Sequence, residues 1–456
     1  MGGELAGAEG RLDSLVARHV AAHGAPGVAA GVVVGDDLAW AAGHGFAELE
    51  GASPVDADTL FRVGSITKTL TGTAIVQLRD QGLLRLDDPL VAHVPEFAGA
   101  TNPWGPIEEV TLRRLLTHEA GLPVEAPTLD WRAGTFPTID EVVAALDRVE
   151  LALAPDAGAK YSNLGYQLLG EVVARVAGRP YRSQVREALL DPLGMRRSGF
   201  EGELPGEAPR ASGHYPRTFT DAPPVSPTRM KGTDAEGGLV SSVRDLACWA
   251  SAQFRTDAAE RRGDRVLVGT SLAEMHRPRR IVDAAWTEAQ GLAWYCTRTD
   301  HGVVVGHAGG TFGFRSRLVF DPRTRVAAIA LANGEGPAGT LALELLEVAA
   351  DAVEAHAVPV PSVPVPVPEA YVELLGLYAW EDLGEPARVV WREGRLALAW
   401  SPDDLQTLEP TEAPLEFVVR GGSESGERCA FRRGVDGTVT GLQISGWPLV
   451  RLLPAE

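Results

Sequence analysis

Apolar residues recur at every third or fourth position through Phe61–Leu78, FRVGSITKTLTGTAIVQL. Ile66, Leu70, Ala74, Ile75 and Leu78 there fall on one side of a helix, which predicts one buried face. The same period predicts helices over Arg11–Val20 (Leu12, Leu15, Val16 and Val20 inward), over Val110–Leu122 (Leu112, Leu115 and Leu116 inward, Gly121 closing it) and over Ile139–Val149. Further helices are predicted within Lys160–Ala177, after a turn-like Tyr161-Ser162-Asn163, and over Pro180–Phe200, ended by Pro192-Leu193-Gly194. Two more follow, over Gly237–Ser251 with Ser242 as N-cap and over Thr340–Ala357 with Leu341, Leu345, Val348, Ala349 and Ala352 buried.

Strand patterning lies at the two ends of this region. Gly27–Val34 and Leu38–Gly45 read as a hairpin turned by Gly35-Asp36-Asp37. Val303–Gly306 is a short strand running into His307-Ala308-Gly309-Gly310, and Arg315–Phe320 and Val326–Ala332 are joined by the Asp321-Pro322-Arg323-Thr324 turn. One antiparallel sheet fed from both ends, with helices covering it and a helical block between, is the economical arrangement. Glu201–Gly232 lacks periodicity and reads as a long loop, a candidate substrate wall. The alternating prolines of Val358–Pro368 predict an extended spacer. Short alternating runs beyond it (Arg388–Trp391, Leu396–Trp400, Glu416–Val419, Cys429–Arg432, Val439–Ile444) predict a small all-β barrel. The expected domains are thus 1–357 and 369–456, with 358–368 as linker.

The 456 residues carry 42 Lys+Arg against 61 Asp+Glu, a net charge of −19, which disfavours nucleic acid and anionic membranes as partners. Neither a signal peptide nor a membrane-spanning run is legible, and Cys248, Cys296 and Cys429 have no metal-ligand spacing, so a cytoplasmic location with reduced thiols is expected.

Candidate chemistry falls in three places. Ser65 and Lys68 form Ser-x-x-K at a helix start. Residues three apart share a helix face, so the amine can reach back to the hydroxyl and help form an alkoxide. Lys68 is one of only three lysines, with Lys160 and Lys231, in a chain whose other basic residues are arginines. Taken alone, the pair reads equally well as an N-terminal helix serine with a solvated lysine. Tyr161 and Asn163, two apart in a turn, can project into one space, and a capping Asn beside a packed Tyr is the open alternative. The third place is His307-Ala308-Gly309 at a strand end. His118 reads as a structural or loop-positioning histidine, and Trp294, Phe312 and Phe314 as candidates for an apolar pocket, with core packing the equal alternative for each.

The ordered set SITK, YSN and HAG resembles the penicillin-recognising serine hydrolases, on their class C β-lactamase-like branch. LLTHEAGL at 115–122, DPLGM at 191–195, GGLVSSVRDLA at 237–247 and HAGGTFGF at 307–314 are similar to phrases of that family, over roughly residues 10–355. The resemblance implies an α+β, β-lactamase/transpeptidase-like fold: an antiparallel sheet flanked by helices, with an all-helical subdomain, followed by a lipocalin-like barrel. It implies Ser65 as nucleophile, with Lys68 beside it and Tyr161 as general base. Asn163, His307, Gly309 and Gly310 would contact substrate, and the N–H groups of Ser65 and Gly310 would form the oxyanion hole. Gly309 and Gly310 would let the strand backbone approach the substrate. No metal or organic cofactor is called for. His307 stands where the family's β-lactamases and D,D-peptidases place a lysine that attracts a carboxylate. The expected activity is therefore hydrolysis of an ester or small amide, as in the family's carboxylesterases and D-aminopeptidases. Acyl transfer, β-lactam or D,D-peptide cleavage, and a non-catalytic binding role are the alternatives. The expected partner is a small molecule, and a homo-oligomer is also admitted.

Overall fold

The computed structural model describes residues 5, 7–23, 25–49, 53–128, 136–204, 209–214, 231–254, 266–300, 302–334, 336, 338–356, 366–379, 386–392, 394–401, 404–422 and 424–454. The chain divides into two compact units, Met1–His356 and Ala357–Glu456.

In the first unit an antiparallel sheet is built from β1 (Gly27–Val34), β2 (Asp37–Glu48), β3 (Ser53–Pro54), β4 (Arg280–Ile281), β5 (Glu288–Gln290), β6 (Tyr295–Thr299), β7 (Gly302–Thr311), β8 (Phe314–Asp321) and β9 (Val326–Ala332). Their spatial order is β3-β2-β1-β9-β8-β7-β6-β5-β4, so the N-terminal hairpin joins the C-terminal meander through the β1–β9 pair, with Gly31 opposite Ile329. Alternation along the central strands sends residues to two cores. Val28, Ala30, Val32, Val319 and Ala328 meet α1 (Glu9–His23), through Leu12 and Val16, and the C-terminal helix Ala338–His356, through Leu341 and Leu345. Ala29, Val33, Leu318, Phe320 and Ile329 face the helical block, which includes α2 (Thr67–Asp80), α3 (Asn163–Ala177), α4 (Asp234–Gly237) and α5 (Val243–Gln253).

Helix α2 is enclosed all round, not on one face as its apolar spacing predicts: every residue from Thr67 to Leu78 is buried. Its threonines can go inside because their hydroxyls bond backbone carbonyls, Thr69 to Ile66 at 2.8 Å, Thr73 to Thr69 at 2.8 Å and Thr71 to Ala235 at 2.6 Å. Hydropathy counts such threonines as polar and so misses the far side of the helix.

Other predicted elements are shortened. Val110–Leu122 is helical only over Leu112–Leu116, because His118 takes a left-handed φ of 58° and its carbonyl accepts from Lys160 N at 2.7 Å instead of continuing the helix. Ile139–Val149 breaks after Val143 into a 3-10 turn, Leu146–Arg148. Helical structure within Pro180–Phe200 stops at Leu193 with Gly194 left-handed, and Gly199–Phe200 is a strand. Within Gly237–Ser251, Leu239–Ser241 is the centre of a small sheet with Phe61–Arg62 and Gly199–Phe200. The helix starts only after Ser242, whose hydroxyl accepts from Asp245 N.

In the second unit eight antiparallel strands, from Gly376–Ala379 to Trp447–Pro454, close into a barrel. Tyr378, Val389, Leu398, Phe417, Phe431 and Leu442 fill its interior, and closure leaves no unpaired edge. Of the proline-rich spacer, residues 358–365 lie outside the described residues, as do 205–208 and 215–230 of the long loop.

Candidate active site

Ser65 sits in a 3-10 turn, Gly64–Ile66, that leads into α2. The turn is pinned from both sides. Val63 N bonds the Leu239 carbonyl at 3.1 Å, and the Val63 carbonyl accepts from Ser316 Oγ on β8 at 2.8 Å. Gly64 has φ +51°, and a Cβ there would stand 2.9 Å from Gly310 N, so only glycine lets the turn lie this close to β7. Neither the turn nor α2 uses a side-chain cap. The Ser65 hydroxyl instead meets two other groups: Lys68 Nζ donates to it at 3.2 Å, and the Tyr161 hydroxyl lies 2.8 Å away.

Lys68 is fully buried. Its Nζ has three acceptors, Ser65 Oγ, Asn163 Oδ1 at 2.7 Å and the Glu236 carbonyl at 2.8 Å, one for each hydrogen of an ammonium. Nζ also lies 4.9 Å from the centre of the Tyr161 ring and 5.5 Å from that of Tyr166.

Tyr161 and Asn163 flank Ser162, the N-cap of α3. Ser162 Oγ accepts from Gly165 N at 2.9 Å and donates to the Pro123 carbonyl at 2.6 Å. Capping thus falls to Ser162, and Asn163 is free to bridge Lys68 and Glu125, donating Nδ2 to Glu125 Oε1 at 2.6 Å. His118 lies between the rings of Tyr161 and Tyr166, at 4.5 and 5.1 Å, and its Nδ1 accepts from Ser162 N at 3.2 Å. Burial, with help from Lys68, holds His118 well below the usual imidazole range, so it is neutral and positions the Tyr161 turn.

The third motif lies within β7, because the strand continues through His307-Ala308-Gly309-Gly310 to Thr311. β6 pairs with β7 only as far as Gly306, and β8 pairs with it throughout 305–311, so on the β6 side the ladder stops just before the motif. Along 307–310 the side chains alternate: His307 and Gly309 are buried, Ala308 and Gly310 exposed. Gly309 is required by packing, since a Cβ there would fall 2.0 Å from the Val63 carbonyl oxygen. Packing is thus a reason for glycine at 309 beside the expected approach to substrate. His307 is pushed down to about 3, mainly by burial and then by Lys68, and is neutral. Its Nδ1 lies 2.6 Å from the Ala308 carbonyl, which places the proton on that nitrogen.

Ser65, Tyr161, His307, Gly309 and Gly310 line one open cleft of 420 Å³ together with Glu288, Tyr295, Arg315 and Arg317. Those last four are absent from the sequence-derived set. Arg315 and Arg317 alternate along β8 opposite Gly310 and Ala308, a register that no local pattern reveals. The aromatic candidates are not among the lining residues. Trp294 is buried against Trp249 and Phe320, Phe314 meets Phe61, and Phe312 meets Phe136. Trp294 and Phe314 belong to the core, and the side chains of the cleft include Glu288, Tyr295, Arg315 and Arg317.

A hydroxyl contacted by an ammonium and a phenol, in a turn that lies against the Gly310 N–H of β7, is equipped to attack a carbonyl carbon. Comparison with known proteins gives a consistent picture. A family model described as Beta-lactamase matches residues 12–352. The Beta-lactamase-like protein 2 of Dictyostelium discoideum is 32% identical over 197 residues, covering 41% of this chain and 35% of that protein. The D-alanyl-D-alanine-carboxypeptidase/endopeptidase AmpH of Escherichia coli K12 is 27% identical over 278 residues, 59% of this chain and 70% of that protein. The chain thus spans about a third of the length of the first of these relatives. The octameric penicillin-binding protein homologue from Pyrococcus abyssi shares the fold with a TM-score of 0.65 at 24% identity, covering 97% of this chain and 99% of that one.

Proposed function

The chain belongs to the beta-lactamase family, and from that premise we propose that it is a serine hydrolase that cleaves an ester or small amide through an acyl-enzyme on Ser65. One observation supports this: two segments distant in the chain bring Lys68 Nζ and the Tyr161 hydroxyl to within 3.2 and 2.8 Å of a single serine oxygen. In the proposed reaction Tyr161, acting as its phenolate, takes the Ser65 proton and becomes the phenol as Oγ bonds to the carbonyl carbon. The N–H groups of Ser65 and Gly310 hold the oxyanion, and Tyr161 returns the proton to the departing alcohol or amine. Water then attacks the acyl-Ser65 ester, releasing the acid and restoring the hydroxyl. Lys68 Nζ donates to Ser65 Oγ from the buried side of the site. Asn163 and His307 are proposed substrate contacts.

A neutral His307 in place of a lysine favours uncharged esters and amides. Another observation favours a carboxylate-bearing substrate, as in the D,D-peptidase or β-lactamase reading. Arg317 lines the cleft, burial lowers its pKa, and its Nε is buried with no hydrogen-bond partner. Hydrolysis of p-nitrophenyl esters with and without a terminal carboxylate, D-amino acid amides and nitrocefin by wild type, Ser65→Ala and Arg317→Met decides among them. Loss of all turnover in Ser65→Ala is expected, and wild-type rates in that variant refute the proposal. Product analysis with added alcohols or amines separates hydrolysis from acyl transfer.

Among the described residues no helix is long and apolar enough to cross a membrane. A cytoplasmic site of action and a domain boundary within 358–368 are part of the same proposal. So is assembly into a homo-oligomer, by analogy with the octameric homologue.

A further inference from the structure

Two carboxyl groups adjoin the Lys68 network, Glu236 buried and Glu125 half-buried. Glu236, on α4, gives its carbonyl to Lys68 Nζ at 2.8 Å. Its carboxyl lies in the interior, with Oε1 accepting from Gln167 Nε2 at 3.0 Å and Oε2 buried with no partner. Glu125 repeats the pattern, with Oε1 accepting from Asn163 Nδ2 and Oε2 buried with no partner. Glu236 is buried and one of its carboxylate oxygens has no partner, and an ion held that way favours taking up a proton.

We propose that the Glu236 carboxyl is a positioning group for the hydrolytic site. When ionised it keeps Lys68 an ammonium beside Ser65 and Tyr161, and when it takes up a proton the acylation rate falls. The proposal rests on the hydrolase reading above. The physical reason is that a buried lysine without an anion tends to lose its proton, and only the ammonium can draw negative charge onto the Tyr161 phenol or the Ser65 oxygen. Burial pushes Glu236 up to about 7, opposed by Lys68 and reinforced by Glu125, so its ionisation falls within the working range of an enzyme. Burial raises Glu125 as well, but the Asn163 amide and Lys68 oppose it. The other titratable groups around this cluster are Tyr166 on α3, with Tyr161 and His118 beside Lys68. On α4 itself, Asp234 is bonded by Arg182 at 2.6 Å, which gives it a partner of its own.

The test is the pH dependence of kcat/KM for a p-nitrophenyl ester between about pH 5 and 9. Wild type is expected to rise through a midpoint near 7, the value of the Glu236 carboxyl. Glu236→Gln is expected to lose that limb and to run about tenfold slower than wild type at about pH 8, the equivalent of one pKa unit of lost charge stabilisation. Gln167→Leu removes the N–H that favours the carboxylate, so it should keep the limb but move it to higher pH. A folded Glu236→Gln enzyme that keeps the limb, or a Gln167→Leu profile identical to wild type, overturns the proposal. A readout without turnover separates its failure from that of the hydrolase reading. In Ser65→Ala protein carrying carboxyl-labelled glutamate, the carbon resonance lost on Glu236→Gln should titrate near 7, and titration near the ordinary 4.5 overturns the proposal.

Discussion

Replacing Gly309 by alanine tests how the nucleophile is seated. A Cβ at 309 would lie 2.0 Å from the Val63 carbonyl oxygen and 2.4 Å from Ser316 Oγ. To reach an ordinary contact of 3.4 Å, the Val63 carbonyl or the strand must retreat by about 1.4 Å. Neither is free to do so cheaply. The carbonyl accepts from Ser316 at 2.8 Å and from Ile66 N at 3.3 Å, and β7 is locked to β8 by paired residues on both sides of position 309. The retreat carries Gly64 and Ser65 away from Gly310 N and widens the space between the two proposed oxyanion donors. Overpacking of this kind costs about 1–3 kcal/mol of stability, and a displacement near 1 Å at a reacting centre costs about 10²-fold in rate. Gly310→Ala is the control, because its nearest neighbour would be Arg315 Nη1 at 3.3 Å, the far end of a flexible side chain. Chemical denaturation and p-nitrophenyl ester kinetics on both variants read the two quantities. Gly309→Ala should lose about 1–3 kcal/mol and about 10²-fold in kcat/KM, while Gly310→Ala should stay within about 0.5 kcal/mol of wild-type stability. A Gly309→Ala protein with wild-type stability and kcat/KM would refute the reasoning.

Two further outcomes are expected. Ser162→Ala removes the cap of α3 and the donor to the Pro123 carbonyl, so it should cost about 1–2 kcal/mol and slow turnover, because Tyr161 and Asn163 flank it. Denaturation midpoints and kinetics check this, and an unchanged midpoint would show that the cap contributes nothing. Acid should destabilise the protein through its buried histidines. His276 and His307 are pushed down to about 3 from an ordinary 6.5, so the unfolded chain binds protons that the folded chain refuses. Their contribution is present above about 6.5 and is lost as pH falls toward about 3. The thermal midpoint of wild type should therefore drop across that window, and His276→Gln, remote from the cleft, should flatten the drop.

The positions of Ser65, Lys68, Tyr161, Asn163 and His307 were legible in the chain as candidates because each lies in a short local pattern, a helix start, a turn or a strand. The hairpin Gly27–Val34 with Leu38–Gly45 and the strands Arg315–Phe320 and Val326–Ala332 were legible for the same reason, since alternation is a property of neighbours. The helix over 110–122 misled, because its apolar spacing persists past Leu116 while the backbone at His118 leaves the helix to bond Lys160. For Trp294, Phe312 and Phe314 pocket and packing stayed equally open, because sequence registers hydrophobicity without direction.

The amino-acid order determined most of the elements, the antiparallel plan with a barrel after it in the chain, and the side chains that could carry acyl chemistry. Tertiary structure alone decided that Lys68 would be enclosed with three acceptors, that Glu236, 168 positions along the chain, would supply one of them, and that Arg317 would line the cleft. The physical reason is that charge and burial depend on distance in space. Desolvation of Glu236, His307 and Lys68 arises only when segments with no local relation to one another exclude water from the same few ångströms.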